Sequence, residues 1–133
     1  MKTYNLYLDD FRHPLESFHY MKDISYNLLE WQVVRSYDDF VDRISEGYKG
    51  GEFPGLISFD HDLADDHYSH LHGTIPYDDL KEKTGYHCAK WLINFCIDND
   101  MILPEFKVHS MNPTGKVNIK SLLENFKKYQ DNE

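Results

Sequence analysis

The stretch Leu56-Ile57-Ser58-Phe59-Asp60-His61-Asp62-Leu63 constrains the fold of this chain more than any other. A short apolar run ends in an Asp-His-Asp cluster, and helix-type sequence follows after a gap. A buried strand that delivers acids to its C-terminal end reads this way, and in open parallel sheets that end is where ligands bind. Two further segments repeat the arrangement. Tyr4-Asn5-Leu6-Tyr7-Leu8 runs into Asp9-Asp10, and Phe106-Lys107-Val108 runs into His109-Ser110. Three such strands side by side would gather acids and histidines into one pocket.

Between these segments strand and helix signals alternate, with no internal repeat or low-complexity tract. Pro14 suits a turn or the first position of a helix. Leu15–Glu30 keeps no clean apolar period, so at most a short helix is expected there. Trp31–Arg35 is β-branched enough for a strand. Ser36 with Asp39 makes an S-x-x-D cap ahead of Phe40, Val41 and Ile44, which share a helical face. Gly47, Gly50, Gly51, Pro54 and Gly55 punctuate a loop into the Leu56 strand. Residues 64–83 form a long polar loop rich in His, Asp and Tyr, a length typical of lids and binding loops. Thr84 caps a helix from Gly85 to about Asp98, with Cys88, Ala89, Leu92, Ile93 and Cys96 on one face. Met111–Gly115 reads as a turn. A last helix from about Asn118 to Lys128 buries Ile119, Leu122, Leu123 and Phe126, and residues 129–133 are expected to fray.

Strands at Tyr4–Leu8, Trp31–Arg35, Leu56–Phe59 and Phe106–His109, joined through helices, imply a parallel sheet with right-handed crossovers. The expected order is 2-1-3-4, with a switch point between the first and third strands.

A chain of 133 residues with 41% hydrophobic content suits a single domain over residues 1–133. No apolar run approaches the ~20 residues of a membrane span, and no signal-peptide core opens the sequence. A cytoplasmic protein without a membrane partner is the expectation. The net charge of −9 and the lack of a Lys/Arg block argue against duplex DNA, because affinity for a duplex rests on neutralising phosphates. A small phosphorylated ligand stays compatible if a cation offsets the local carboxylates. Cys88 and Cys96 lie ~12 Å apart along one helix, too far for a disulfide. They read as reduced core thiols.

Asp9 and Asp10 alone would read as a strand end and the start of a turn. With Asp60 and Asp62 they make a carboxylate cluster, whose repulsion a hard cation such as Mg²⁺ relieves. His61, wedged between two acids, has no apolar reason to be there. His109 reads equally as a core histidine or a functional one, and Ser110 equally as an ordinary strand-end residue. Arg12 either pins the loop after the first strand or binds phosphate. Asn112, Lys116 and Asn118 could contact a phosphate or base at the start of the last helix, although turn chemistry explains Asn112-Pro113 as well. His67, His70 and His72 have a metal-ligand spacing, but no cysteine accompanies them and they read as loop histidines.

The motifs LYLDD at Leu6–Asp10, ISFDHDL at Ile57–Leu63, TGYHCAKWL at Thr84–Leu92 and VHSMNPTGK at Val108–Lys116 resemble, in that order, the cyclic-phosphate-processing receiver family. These are divergent relatives of response-regulator receiver domains, and the resemblance runs from about Tyr4 to Ile119. It implies a receiver-like, flavodoxin-type three-layer α/β fold that handles 2′,3′-cyclic or related nucleotide phosphates. Compared with ordinary receivers, Asp9 and Asp10 fall at the metal-binding acid pair, Asp60 at the phospho-acceptor, and Asp62 two residues on. Ser110 matches the hydroxyl residue ending the fourth strand. A fifth strand with its lysine is not in the pattern, and Lys116 stands where relatives would carry an arginine.

The expectation is a metal-dependent phosphoesterase or cyclic phosphodiesterase acting on a small phosphorylated nucleotide or an RNA terminus. Asp10 and Asp60 would hold Mg²⁺ or Mn²⁺, helped by Asp9 and Asp62. His61 and His109 would share acid and base roles at Asp60, and Arg12, Ser110, Asn112 and Lys116 would contact the substrate. The alternatives are a signalling module phosphorylated on Asp60 and a non-catalytic binder of a nucleotide or protein.

Overall fold

The structure, a computed structural model, describes residues 1–63, 75–80 and 82–132. The described elements are β1 (Lys2–Leu8), α1 (Pro14–Met21), α2 (Ser25–Leu28), β2 (Gln32–Val34), α3 (Tyr37–Lys49), β3 (Glu52–Phe59), α4 (Gly85–Asn99), β4 (Glu105–Val108) and α5 (Pro113–Asp131). A 3-10 turn at Tyr77–Asp79 precedes α4. All strand pairs are parallel and the sheet order is β2-β1-β3-β4, as the sequence predicts.

Strand alternation sorts the two faces. Leu6, Leu8, Ile57 and Phe59 are fully buried on one face, in the same cluster as Phe40 of α3, Leu92 of α4 and Ile119 of α5. Phe40 packs between Phe59 and Trp91 at ring separations of 5.7 and 6.1 Å. The opposite face is aromatic and polar. There the Tyr7 hydroxyl shares a 2.6 Å hydrogen bond with Ser17 of α1, and the Tyr26 hydroxyl of α2 shares one of 2.6 Å with Ser58 of β3. The result is three layers, with α3, α4 and α5 on one side of the sheet and α1 and α2 on the other.

That polar layer explains why α1 and α2 were hard to see in Leu15–Glu30. They dock through hydroxyls and aromatic edges, which leave no apolar period. Pro14 opens α1, and His13 and Glu16 form a capping box.

Three boundaries differ from expectation by three or more residues. β3 begins at Glu52 rather than Leu56, because a bulge accommodates Pro54 and Gly55: Tyr4 pairs with Pro54 and Asn5 with Leu56, leaving Gly55 over. α5 begins at Pro113, not Asn118. Asn112 is its N-cap, accepting the Gly115 N–H at 2.9 Å, and Pro113 fills a position that needs no donor. α5 also continues through Asp131, past the expected stop near Lys128. Gln130 ties this end down, accepting the Leu103 N–H at 2.9 Å and donating to the Met101 carbonyl at 3.0 Å.

The long loop expected at residues 64–83 lies largely outside the described residues, and so do His67, His70 and His72. Cys88 and Cys96 are buried free thiols, as expected.

Two helix N-termini close on the turn after β3, and glycine is what lets them. The Gly85 N–H donates to the His61 carbonyl at 2.8 Å, and a methyl group at Gly85 would fall 1.8 Å from the Asp60 carbonyl oxygen. A methyl group at Gly115 would fall 2.3 Å from the His61 ring. Gly85→Ala and Gly115→Ala should therefore each destabilise by about 1–3 kcal/mol through overpacking. Gly50→Ala adds a methyl no closer than 3.6 Å to anything and should stay within about 0.5 kcal/mol of wild type. Chemical denaturation measures all three; a Gly85→Ala protein as stable as Gly50→Ala would contradict this packing.

Candidate functional site

β1 and β3 are neighbours in register, Leu8 opposite Phe59, so Asp9 and Asp60 emerge side by side at the C-terminal edge of the sheet. β4 delivers His109 beside them. One donor atom from each of Asp9, Asp60 and His109 lies within 4.8 Å of the other two, and all three residues are buried. The sequence suggests Asp10 and Asp60 as cation ligands, helped by Asp9 and Asp62; the described residues that meet within 4.8 Å are Asp9, Asp60 and His109, and Asp10 is half-buried beside them.

The two carboxylates differ in ionisation. Burial alone would push the Asp9 carboxyl up, but it accepts hydrogen bonds from His109 at 3.1 Å and from the Arg12 and Phe11 N–H groups at 2.8 and 3.0 Å. These hold it below the ordinary carboxylate value. Asp60 accepts the His61 N–H at 2.9 Å, too little to offset burial and the neighbouring Asp9 charge, which push it up to about 8.

His109 is held on every side. Its ring stacks on Tyr7 at 4.3 Å and 5°, Nδ1 lies 2.7 Å from Ser58 Oγ, and Nε2 lies 3.1 Å from Asp9. The Tyr20 hydroxyl donates to its carbonyl. Burial lowers the His109 pKa, which keeps the ring neutral. One assignment satisfies the network: Tyr26 donates to Ser58, Ser58 donates to Nδ1, and the Nε2–H donates to Asp9.

His61 lies across the sheet edge from His109, under α5. Its Nδ1 sits 2.7 Å from Asp62 Oδ1, and its Nε2 lies 2.8 Å from the Tyr77 hydroxyl. The pairing with a carboxylate marks Nδ1 as the protonated nitrogen, so Nε2 accepts from Tyr77. The Tyr77 oxygen in turn accepts from Asn118 Nδ2 at 3.0 Å, and burial pushes its phenol up to about 12. Asn112, besides capping α5, donates to Asp62 at 3.2 Å.

Arg12 reaches the cluster: its guanidinium lies 3.7 Å from Asp9 Oδ2 and against the Phe11 and Tyr20 rings. Buried Ser110 accepts the Asn112 N–H at 3.1 Å, which places it in the turn that sets up α5. Lys116 sits half-buried in the first turns of α5.

Sequence reasoning missed Ser58, Tyr26, Tyr77 and His87. Strand alternation carried a signal for Ser58, a polar residue amid an apolar strand. Tyr77 and His87 left none, since they meet only in three dimensions: His87 Nε2 lies 3.0 Å from the Tyr77 carbonyl, and its Nδ1 accepts the Thr84 N–H at 2.8 Å.

A parallel sheet in this order, with paired acids where β1 and β3 end, defines a receiver-like α/β domain. The model of the cyclic-phosphate processing receiver domain matches residues 4–125, and the chain belongs to that family. No curated protein and no solved structure was found to match it. Among the described residues no helix is long and apolar enough to cross a membrane.

The ionisation of Asp60 has a measurable sign. In metal-free protein the folded state keeps this proton to about pH 8, while an unfolded chain releases it near pH ~4. Deprotonation therefore favours unfolding progressively between those limits. Asp60→Asn removes this penalty, so in chelator the variant should gain on wild type as pH rises from about 5 to about 8, by as much as a few kcal/mol. His109, held neutral, contributes the opposite slope, but it does so in both proteins. A wild-type-to-variant difference that stays flat with pH would show that Asp60 is ionised in the folded state.

Proposed function

We propose that this domain is a cation-assisted phosphoesterase acting on cyclic or terminal phosphates of a small nucleotide or an RNA end. The observation that carries the reading is the meeting of Asp9, Asp60 and His109 within 4.8 Å in a buried cluster at the C-terminal edge of the sheet, where open parallel sheets bind ligands. The donor set fits a divalent cation such as Mg²⁺ or Mn²⁺. Two carboxylates, one of them pushed toward protonation by burial and by its charged neighbour Asp9, are ligands such ions take. Asp9 and Asp60 would hold it, and His109 would orient Asp9 through its Nε2–H. When bound, the cation would neutralise the acids and polarise the phosphoryl oxygens.

The chain's own groups then divide the remaining work. Arg12, Lys116 and the N-terminus of α5 contribute positive charge for the phosphate. His61 is the acid–base group: Asp62 fixes the proton on Nδ1 and leaves Nε2 basic, as orienting carboxylates do for catalytic imidazoles. Nε2 takes the proton of the attacking water, directly or relayed through the Tyr77 hydroxyl, which gives up its own proton as it receives the water's, and returns it to the leaving oxygen. Tyr77, protonated at neutral pH, is a donor in this exchange. His109, engaged at both nitrogens, serves the cation pocket rather than proton transfer.

Hydrolysis of 2′,3′-cyclic mononucleotides with Mg²⁺ or Mn²⁺ tests this. Asp60→Asn and His109→Ala should lose both turnover and cation-induced stabilisation. His61→Ala should keep the stabilisation and lose about 10²–10⁴-fold in rate. Wild-type rates in His61→Ala would remove it from the mechanism. If wild type with either cation leaves cyclic and terminal phosphates intact, the domain is not a phosphoesterase.

A further inference from the structure

A cleft of about 450 Å³ opens beside His61, between the segment at residues 75–77 and the exposed face of α5. Its size falls in the ~300–1,000 Å³ range of small-molecule sites. Tyr77 and Tyr86 form its aromatic wall, stacked at 4.0 Å and 13°, and Ile75 and Leu122 supply apolar surface. Asn118, Ser121 and Asn125 follow one another along one face of α5, and among the described residues no charged side chain lines the cleft. In a chain of net charge −9 that is selective. The adjoining cavity on the other side of the tyrosines is lined by Asp78, Asp79 and Lys90.

The tyrosine wall is also anchored rather than loosely packed. Tyr77 is held through its carbonyl by His87 and through its hydroxyl by His61 and Asn118. A flat, uncharged ring fits between such a wall and a row of amides and hydroxyls. The faces of a nucleobase stack on aromatics, and its edge carries the donors and acceptors that Asn and Ser complement. Through the Tyr77–His61 hydrogen bond the cleft also adjoins the acid pocket.

We propose that this cleft between Tyr77, Tyr86 and the Asn118–Asn125 face of α5 is a nucleobase site, which holds the base of the ligand whose phosphate lies at Asp60. This rests on the phosphoester reading above and extends it to a nucleoside-bearing ligand. Lys116 and the start of α5 lie between the two pockets along the helix, where the sugar and phosphate would run.

Amide-resolved NMR titration of the full chain separates the two claims. Adenosine and cytidine, which carry a base and no phosphate, should shift signals confined to residues 75–80, 86–90 and 118–125, and ribose should shift none. Ser121→Trp fills the cleft from an exposed position on α5 and should weaken nucleoside binding by about five- to hundredfold, the worth of one base–aromatic stack. Inorganic phosphate with Mg²⁺ should shift residues 9–12, 60–62 and 110–116 equally in wild type and Ser121→Trp. Absent or scattered nucleoside shifts, or nucleoside binding that ignores Ser121→Trp, overturn the base site and leave the phosphate pocket standing. Absence of the phosphate shifts overturns the phosphoester reading. A 3′-phosphorylated dinucleotide that binds tighter than the mononucleotide identifies an RNA end as the source of the base, and equal binding identifies a free nucleotide; either supports the site.

Discussion

Two carboxylates at the ends of adjacent strands are buried side by side, and the rest of the site is arranged around that fact. Asp9 and Asp60 cannot both be ionised cheaply where water is excluded. The protein settles the conflict asymmetrically. Asp9 receives three hydrogen bonds and nearby Arg12, and keeps its charge. Asp60 receives one and tends to keep its proton. Such an arrangement stores electrostatic free energy in the buried pair, and a cation bound between the two acids would release it. Affinity for the ion would then come from relieving strain already present as much as from new bonds.

Much of this was legible beforehand. The apolar runs ending in Asp9, Asp60 and His109 fixed three strands and their common edge, and the alternation of elements implied the order of the sheet. What stayed hidden has a shared cause. α1 and α2 pack through Tyr7, Ser17, Tyr26 and Ser58, so their fit lies in hydroxyl pairings between residues far apart in sequence. Pro54 and Gly55 read as loop because the bulge that admits them forms only when β1 lies alongside. Tyr77 was unreadable for the same reason: its partners come from α4, α5 and the turn after β3.

The two histidines show how one neighbour can divide similar side chains into different roles. His109 is clamped between Ser58 and Asp9 and stacked on Tyr7, so a change in its ring would disturb the whole α1–α2 layer. His61 has a carboxylate behind it and a hydroxyl in front of it, and the tyrosine that carries that hydroxyl lines open clefts. Only the second arrangement leaves a path for a proton to leave the ring toward a ligand. The glycines at positions 85 and 115 belong to the same design. They allow the starts of α4 and α5 to press on the Asp60–His61 turn, which fixes where the imidazole points.

That close approach also bears on how a phosphate would be met. In ordinary receivers a lysine from a fifth strand neutralises a phosphoryl group built on the acceptor aspartate. Here α5 follows β4 through residues 113–131, and its N-terminus, with Asn112 and Lys116, faces the pocket edge instead. A helix N-terminus offers N–H groups to phosphate oxygens without needing the phosphate attached to the protein. Asp60, only 3% exposed, leaves a phosphodonor little room to reach its carboxylate. Both features favour a ligand that arrives carrying its phosphate over a phosphate transferred to the chain.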